Sequence, residues 1–395
     1  MIKCLRILLV FCCALTCLMG QMRPACADSQ TLAYITHNDG LIDQYQVAGS
    51  GQFSPLSTPA VRAGAHPTRV VVDPSGRFAY VGSGTTKSVY QYRINSDGAL
   101  APLSPAQIKV KAIVADLATD SSGRALYAAV NAVVLQFKIN ANGTLSPMSP
   151  AKVQIGGQIR HIAVHPSKPY LYVTQNAGHV AGFRIGRNGA LSPLKPAHVA
   201  VTGNLGYLAF SSDGRRAYLT RDANTLDTKD QALVQFDVQE YGSLIEASRA
   251  PYSIASDHAS GATTIAVDPD RHSVYVSAQV AGYIYGFRLS AGRLERYGND
   301  LDYRIARDRR FMTRQQWTSQ PDVEAAVLYG IAVGPDRAMY VLNSSGVARF
   351  GISTTGELAD GPWAAKWPDE IVDGALSRTH ATNLTFVARE IADAK

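Results

Sequence analysis

The chain has 395 residues, of which 46% are hydrophobic and 17% are charged, and its formal net charge is +7. Its 33 glycines are spread along the sequence without a low-complexity tract, which agrees with a single globular body. The modest positive charge gives no argument for a nucleic-acid-binding protein, in which a clustered basic patch is expected.

The first 27 residues differ from the rest of the chain. Lys3 and Arg6 precede an apolar stretch from Ile7 to Leu18, and Ala25-Cys26-Ala27 supplies small residues of the kind that a signal peptidase reads. The apolar stretch is too short for a membrane span, which needs about 20 residues. We therefore expect residues 1–27 to be a cleaved signal peptide and residues 28–395 to be one domain, periplasmic or secreted.

The leader also contains every cysteine of the chain, namely Cys4, Cys12, Cys13, Cys17 and Cys26. Cleavage would leave a mature protein without disulfides, thiolate nucleophiles or cysteine metal ligands. It would also remove three of the 38 basic residues and none of the 31 acidic ones, so the mature charge would be 35 minus 31, or +4. The alternative is a lipid anchor at Cys17, for which Ala14-Leu15-Thr16 is a poor signal.

The rest of the chain is a sevenfold repeat. Each unit has a strand with a tyrosine, a second strand rich in aromatic residues, a glycine turn and a segment with leucine and proline, which indicates four short strands per unit. The repeated tyrosines are Tyr34, Tyr80, Tyr127, Tyr172, Tyr218, Tyr275 and Tyr340. The repeated turn glycines are Gly51, Gly98, Gly143, Gly189, Gly242, Gly292 and Gly356. Seven such units predict an all-β, seven-bladed β-propeller.

The two ends of the chain are predicted to share one blade. The first unit begins at its second strand, at Thr31–Thr36, and its missing innermost strand matches Ala381–Val387 near the carboxyl terminus. Pairing of these segments would close the ring and remove two exposed strand edges.

The repeat resembles a known family. Tyr80-Val81-Gly82 after Asp73-Pro74-Ser75-Gly76, Tyr172-Val173-Thr174-Gln175-Asn176, and Asp97-Gly98-Ala99-Leu100 are similar to the strands of the YVTN-type lactonase propellers, which include bacterial 6-phosphogluconolactonases. The resemblance covers nearly all of residues 31–389. It implies the fold and the same ring closure, whereas function has to be argued from the site.

The predicted site lies where the innermost strands begin, which we call the top face. Inner-strand starts bring polar and aromatic residues to the mouth of the central channel, among them Arg69, Asp116, Arg160, His161, Tyr207 and Tyr329. Two long segments, Arg221 to Gln231 and about Gly298 to Val323, are expected to rim this mouth. The arginine-rich second segment would either clamp an anion or form a solvated, self-paired loop.

The resemblance implies a histidine, two arginines and a glutamate at this mouth. In the direct register these positions hold Arg160, Gly206, Tyr329 and Asp222, so only the acid keeps its chemical type. A shift by one blade aligns Arg160-His161 with the family's arginine–histidine strand but places Asn176 at the acid.

Lactone hydrolysis needs a base near the attacking water and a donor near the carbonyl oxygen. We therefore predict Asp222, Arg160 and His161 as catalytic, and Arg69, Asp116, Tyr207 and Tyr329 as substrate-binding residues. The competing interpretation is an ion pair between Arg160 and Asp116 that only fills the channel.

Two functions follow from this reasoning. The first is an exported lactonase for a sugar lactone, with unphosphorylated substrates favoured because the second arginine is missing. The second is a non-catalytic propeller that binds a small molecule or a protein on its top face. No cofactor, metal ion, nucleic acid or membrane span is expected. His161 and His165 lie about 13 Å apart along a strand and cannot share an ion.

Overall fold

Seven β-sheets arranged as propeller blades make up the part of the chain that the structure describes. The structure is a computed structural model. It describes residues 29–176, 178–221, 233–247, 262–270, 273–278, 282–290, 292–297, 303–305, 311–313, 328–343, 346–359, 363–366 and 381–390. Each blade is antiparallel, and outside blade one its first three strands follow one another in chain order from the channel outward. The predicted fold class and blade number are confirmed.

The first four blades are the most regular. Blade one consists, from the channel outward, of β31 (Ala381–Glu390), β1 (Ser29–His37), β2 (Leu41–Val47) and β3 (Phe53–Arg62). Blade two consists of β4 (Val71–Val72), β5 (Phe78–Ser83), β6 (Ser88–Ile94) and β7 (Leu100–Lys109). Blade three consists of β8 (Val114–Thr119), β9 (Ala125–Val130), β10 (Val133–Ile139) and β11 (Leu145–Gln154). Blade four consists of β12 (Ile159–Val164), β13 (Tyr170–Gln175), β14 (His179–Ile185) and β15 (Leu191–Ala200).

The last three blades depart further from the regular pattern. Blade five consists of β16 (Leu205–Phe210), β17 (Arg216–Arg221), β18 (Leu233–Val238) and β19 (Leu244–Glu246). Blade six consists of β20 (Ala262–Asp268), β21 (Ser273–Ala278), β22 (Tyr283–Ser290), β23 (Arg293–Arg296), β24 (Tyr303–Ile305) and β25 (Phe311–Thr313). Blade seven consists of β26 (Leu328–Val333), β27 (Ala338–Asn343), β28 (Gly346–Ile352), β29 (Leu358–Ala359) and β30 (Trp363–Lys366).

Part of the arginine-rich segment belongs to the sheet of blade six. Strands β23 and β24 both pair with β22, so together they take the place of a fourth strand, and β25 adds a further strand outside β24. The described part of this segment is therefore a β-ribbon that widens the blade, and the prediction of a simple loop was incomplete.

The ring closes as predicted. Strand β31 pairs with β1 from Asn383 opposite Thr36 to Glu390 opposite Ser29. The innermost strand of blade one therefore comes from the carboxyl-terminal part of the chain, whereas its other three strands come from residues 29–62.

The hydrophobic core is divided among the blade interfaces. Seven apolar clusters among the described residues each join two neighbouring blades around the ring. Second strands such as β5 and β13 are buried along their whole length, because both of their faces pack against other blades. This explains why these strands are continuously apolar or small instead of alternating.

The repeated tyrosines and glycines form one interblade contact. In five blades the tyrosine hydroxyl donates a hydrogen bond of 2.6 or 2.7 Å to the turn glycine carbonyl of the next blade. These pairs are Tyr34–Gly98, Tyr80–Gly143, Tyr127–Gly189, Tyr172–Gly242 and Tyr275–Gly356. Gly98 has a φ of +90°, and a Cβ there would lie 2.5 Å from the Leu32 side chain. The turn therefore requires glycine both for its backbone conformation and for close packing.

Several predicted features lie outside the described residues. They are the signal peptide at residues 1–27, Asp222 with the long segment around it, and most of residues 298–323. Within the described ranges, no helix has the length and hydropathy needed to cross a membrane.

Candidate active site at the top of the channel

The inner strands carry β-bulges close to the top face. In six blades the register with the second strand shifts at the start of the inner strand. The shifts lie between Ala381 and Asn383, Val114 and Asp116, Ile159 and His161, Leu205 and Leu208, Ala262 and Thr264, and Leu328 and Gly330. Bulges redirect side chains and are frequent beside active sites. The irregular backbone is thus concentrated at the channel mouth.

Seven positions form an equivalent set around this mouth. Each lies two residues before the inner-strand residue that is opposite the repeated tyrosine. We call this set the mouth row; its members are Arg69, Asp116, His161, Tyr207, Thr264, Gly330 and Asn383. Four of the seven predicted site residues therefore occupy the same structural position in consecutive blades, two to five.

Asp116 is the centre of a polar cluster across three of these blades. Its side chain is only 6% exposed, and its Oδ1 lies 3.3 Å from Nε of Arg69. Its Oδ2 accepts the Ile162 N–H at 2.9 Å and lies 3.5 Å from Nε2 of His161. The carboxylate is thus held by a guanidinium on one side and an imidazole on the other. Its ionic partner is Arg69, and not Arg160 as the competing interpretation supposed.

The side chains of the mouth row also satisfy the backbone of the next blade. An innermost strand has no neighbour on its channel side, so the N–H and C=O groups along that edge need other partners. In each case the partner is the backbone of the next blade, at the residue that follows that blade's own mouth-row residue. The bonds are Arg69 Nη2 to the Leu117 carbonyl (3.3 Å), the Ile162 N–H to Asp116 Oδ2 (2.9 Å), and the Leu208 N–H to His161 Nδ1 (3.3 Å).

His161 is a neutral imidazole with a defined tautomer. Burial lowers its pKa to about 4; Asp116 opposes this change, and Arg69 and Arg160 add to it. Because Nδ1 accepts the Leu208 N–H, the ring proton lies on Nε2, which faces the Asp116 carboxylate. Both nitrogens of the ring are therefore engaged within the protein.

Tyr207 extends the cluster to blade five. Its ring lies over His161 with the ring centroids 4.7 Å apart. Burial raises the pKa of its hydroxyl, and the nearby Asp116 raises it further. The hydroxyl therefore stays protonated at neutral pH and is able to donate a hydrogen bond to a ligand.

The remaining predicted residues are placed differently. Arg160 lies at the bulge of β12 and is exposed, so its guanidinium faces solvent at the rim. Tyr329 is partly buried and packs against the apolar cluster between blades seven and one. At Gly206 a Cβ would collide with the Thr220 side chain, which leaves no room for the arginine expected by the resemblance. Asp222 lies outside the described residues.

His165 belongs to a different structure. Its Nδ1 accepts the N–H groups of Ser167 and Lys168, and its Nε2 lies 2.9 Å from the Gly214 carbonyl. It thus caps the turn after β12, as Asp73 and Asp120 do after β4 and β8. Among the described residues, no group of three or more His, Cys, Asp or Glu side chains could hold a metal ion.

A cavity of about 680 Å³ follows the channel axis directly beneath the cluster. Arg69 and His161 contribute to its wall at the top, and the inner strands of blades one to five and seven line the rest. This volume lies within the range of about 300–1,000 Å³ that is typical of small-molecule sites. The polar cluster therefore borders a space large enough for a ligand.

The first half of the chain resembles a known family in sequence. Residues 28–200 match the family described as "Lactonase, 7-bladed beta-propeller". The matched region spans β1 to β15, which are blades one to four without β31. It contains Arg69, Asp116, Arg160 and His161. No curated protein sequence matches the chain.

Solved structures show the same fold as this chain. A Bacteroides fragilis protein proposed to be a 6-phosphogluconolactonase has a TM-score of 0.70 and 18% identity, with 92% of this chain and 99% of that chain covered. A Pseudomonas aeruginosa periplasmic gluconolactonase has a TM-score of 0.66 and 18% identity, with 91% and 99% covered. At such identities the likeness concerns the fold alone.

The buried His161 predicts a pH-dependent stability. Its folded pKa of about 4 lies below the ordinary histidine pKa of 6.5, so the unfolded chain binds the proton more tightly. The stabilisation is complete above about pH 6.5 and should fall by about 3 kcal/mol as the pH drops to about 4. Urea unfolding across this range measures the effect.

The matched variant for this test is His161→Gln, which cannot titrate. His165 also has a pKa lowered by burial, so the wild type minus variant difference isolates the contribution of His161. Parallel pH profiles of the two proteins would show that His161 is not the group responsible.

Proposed function

We propose that this chain is a lactonase that opens a lactone ring with water at the top of its channel. The observation that supports the proposal is the Asp116 carboxylate, held between Arg69 and His161 beside a cavity, in a lactonase-family scaffold. The first substrates to test are sugar lactones, because gluconolactonase and 6-phosphogluconolactonase are named among the similar structures.

Asp116 is the base in this proposal. A carboxylate has about four lone-pair positions, and three of them point toward Arg69, the Ile162 N–H and His161. The remaining position can accept a hydrogen bond from water and take its proton as the oxygen attacks the lactone carbonyl. His161 touches no reacting atom in this scheme; it positions the carboxylate.

Positive charge at the mouth would stabilise the oxyanion. The Arg69 side chain is 35% exposed, so its guanidinium can reach a ligand while it keeps its contact with Asp116. The exposed Arg160 and the Tyr207 hydroxyl are further donors at the same rim. When the tetrahedral intermediate collapses, the ring C–O bond breaks and the alkoxide takes up the proton, which leaves a hydroxy acid. Asp222 remains the alternative base.

The test is hydrolysis of gluconolactone and 6-phosphogluconolactone, followed by pH-stat and corrected for spontaneous opening. We expect catalysed turnover by the wild type and a loss of about 10²-fold or more in Asp116→Asn, because the base is removed. Asp222→Asn should retain activity if Asp116 is the base. Retained activity in Asp116→Asn together with lost activity in Asp222→Asn would identify Asp222 as the base.

A second function is favoured by one specific observation. Asp116 and His161 both accept backbone N–H groups of the next blade, which is a structural task that needs no substrate. A propeller that binds a ligand or protein on its top face would use Arg69, Arg160 and Tyr207 without turnover. Equal rates for wild type, both variants and buffer across the lactone panel would favour this binding protein.

A further inference from the structure

The charges of blades two to four are almost all positive. No Asp or Glu lies between Asp120 and Asp213 in the sequence. The other acids of these three blades are Asp73, Asp97 and Asp116, and of the four only Asp97 is exposed. Eight basic residues lie in the same acid-free stretch, namely Arg124, Lys138, Lys152, Arg160, Lys168, Arg184, Arg187 and Lys195.

Many of the cations of these blades lie on the face opposite the channel mouth, which we call the bottom face. There each inner strand turns into the second strand, and each third strand turns into the fourth. The two turns of blade two lie side by side, because the Ile94 N–H donates to the Arg77 carbonyl at 2.8 Å. Neighbouring blades also touch there, since a Cβ on Gly123 would lie 3.2 Å from Cδ of Pro74. The tyrosine–glycine bonds end at the same turns, so the bottom of blades two to four is one continuous surface.

Seven cations recur at equivalent positions on this surface. Each of the three blades has one in the turn between the inner and second strands and another at the penultimate residue of the third strand. The outer turn of blade four adds one more. We call this set the bottom arc; its members are Arg77, Arg93, Arg124, Lys138, Lys168, Arg184 and Arg187. Lys168 is half-buried and the other six are exposed.

The bottom arc has no acidic partners within the part of the chain that the structure describes. The Nε groups of Arg77 and Arg124 donate to the hydroxyls of Ser75 and Ser122, at 3.1 and 2.7 Å. These bonds orient the two guanidinium groups and leave their Nη groups for a ligand. The positive charge of the arc is therefore not neutralised by neighbouring side chains.

Later blades carry acids on the same face and form ion pairs with them. In blade five, Asp237 takes the place that Arg93 has in blade two, and it lies 3.8 Å from Nε of Arg216. In blade seven, Nε of Arg337 lies 2.8 Å from Asp270 of blade six. The unpaired charge is therefore a property of blades two to four and not of the repeat itself.

The composition of the arc fits an extended anionic partner. Five of its seven members are arginines, whose planar forks match phosphate groups. The members are spread over three blades instead of converging on one point, so they fit a surface with many anions better than one small ion. An aromatic residue adjoins them: Tyr241 is 79% exposed, and the carbonyl of its neighbour Glu240 lies 3.5 Å from Nζ of Lys168. Exposed tyrosine beside basic residues is typical of surfaces that contact lipid headgroups.

We propose that the bottom arc binds this protein to an anionic phospholipid surface. Lipid phosphates would supply the acidic partners that the arc lacks, and the Tyr241 ring would lie at the level of the headgroups. The mouth row would face away from the lipid and stay open to solutes. The proposal concerns the opposite face of the ring and does not depend on the lactonase activity.

Sedimentation with lipid vesicles tests the proposal. A chain that begins at residue 28 contains every described residue and lacks the apolar leader, whose own affinity for lipid would obscure the result. We expect binding to phosphatidylcholine vesicles that contain one third phosphatidylglycerol, and release at high salt, because ions screen surface charges. Equal binding to pure phosphatidylcholine, or no binding to either vesicle, would overturn the proposal.

A triple variant of the arc measures its contribution. Arg93→Gln, Lys138→Gln and Arg184→Gln remove one exposed cation from each blade. Each basic residue near an anionic membrane contributes about 5-fold to binding, so the triple variant should bind about 100-fold more weakly. Its urea unfolding should match that of the wild type, because the three side chains are exposed. Undiminished binding to the anionic vesicles would overturn the proposal.

The matched control removes the same charge near the top face. Lys109→Gln, Lys111→Gln and Lys152→Gln change exposed residues at or beside the top ends of the outer strands β7 and β11. This variant should bind anionic vesicles nearly as well as the wild type. An equal loss in both triple variants would show that only the net charge matters, and would overturn the assignment to the arc.

A fluorescent label reports which face meets the lipid. Residues 28–395 contain no cysteine, so one can be introduced at a time. Asn142→Cys lies in the outer bottom turn of blade three, and Ile113→Cys lies on the top face; both positions are exposed. On anionic vesicles the label at position 142 should become shielded from a soluble quencher, and the label at position 113 should stay accessible. The reverse result would overturn the proposal.

Two other anionic partners would give distinct results. Binding to heparin without binding to the anionic vesicles would assign the arc to a soluble polyanion and overturn the lipid proposal. Self-association in the absence of lipid, lost in the triple variant of the arc, would assign the arc to a second copy of this chain. Residues 213–395 of that copy would supply the acids, since they hold most of the acidic residues of the chain.

Discussion

Removal of β31 should unfold the whole ring. A chain that ends at residue 380 lacks the innermost strand of blade one, and β1 loses its pairing from Thr36 to Ser29. The apolar surfaces that β31 shares with blades seven and two would also be exposed, since Leu384 and Phe386 pack against the first interface and Val387 against the second. We expect loss of the cooperative thermal transition, exposure to protease and binding of a hydrophobic dye.

The control for this truncation ends at residue 390 and keeps β31 complete. It should melt like the full chain if closure by β31 is what stabilises the ring. A cooperative transition in the shorter chain, within a few degrees of the wild type, would contradict the role that we assign to closure. Adding β31 as a separate peptide should restore part of the stability, because the strand supplies both backbone pairing and apolar contacts.

Asp116→Ala should be the most destabilising single substitution at the channel mouth. It removes the carboxylate partner of the Arg69 guanidinium and leaves the Ile162 N–H and the His161 Nε2–H without their acceptor. Breaking a buried charge pair typically costs about 3–5 kcal/mol. We expect about 2–4 kcal/mol here, because Arg69 is partly exposed and can recover hydration. Urea unfolding at neutral pH measures this loss.

Two variants make this test specific. Asp116→Asn keeps one carbonyl oxygen for the Ile162 N–H and should lose less stability than the alanine variant. Asp237→Ala removes an exposed partner of Arg216 and should change the stability by less than about 1 kcal/mol. Similar losses of unfolding free energy in Asp116→Ala and Asp237→Ala would show that the buried cluster stabilises the fold no more than an exposed ion pair does.

The fold was largely predictable because its determinants repeat. Tyrosine and glycine recur at fixed positions, and each is required locally, the tyrosine as a buried donor and the glycine for its positive φ. The third-strand glutamines were missed. Gln44, Gln91 and Gln136 accept the leucine N–H that follows the turn of the next blade, at 2.6 or 2.7 Å. Their recurrence in the sequence was an available signal.

The site was less predictable because it depends on contacts between blades. Sequence spacing places Arg69, Asp116 and His161 in equivalent strands, but it does not tell which neighbour a side chain reaches. Arg160 lies at a β-bulge and is exposed to solvent, and Asp116 forms its ion pair with Arg69 instead.

The tyrosine–glycine contact makes the blades interchangeable units. Blades two, three and four each donate to the next blade through the tyrosine hydroxyl and accept from the previous blade through the glycine carbonyl, so one repeat carries both partners of the contact. A duplicated copy of such a blade would therefore carry a tyrosine donor for the next blade and a glycine acceptor for the previous one. Its insertion would keep the tyrosine–glycine hydrogen bond at both new interfaces. A gene that encodes such a ring can gain or lose whole repeats while the blades that become neighbours still form the tyrosine–glycine hydrogen bond.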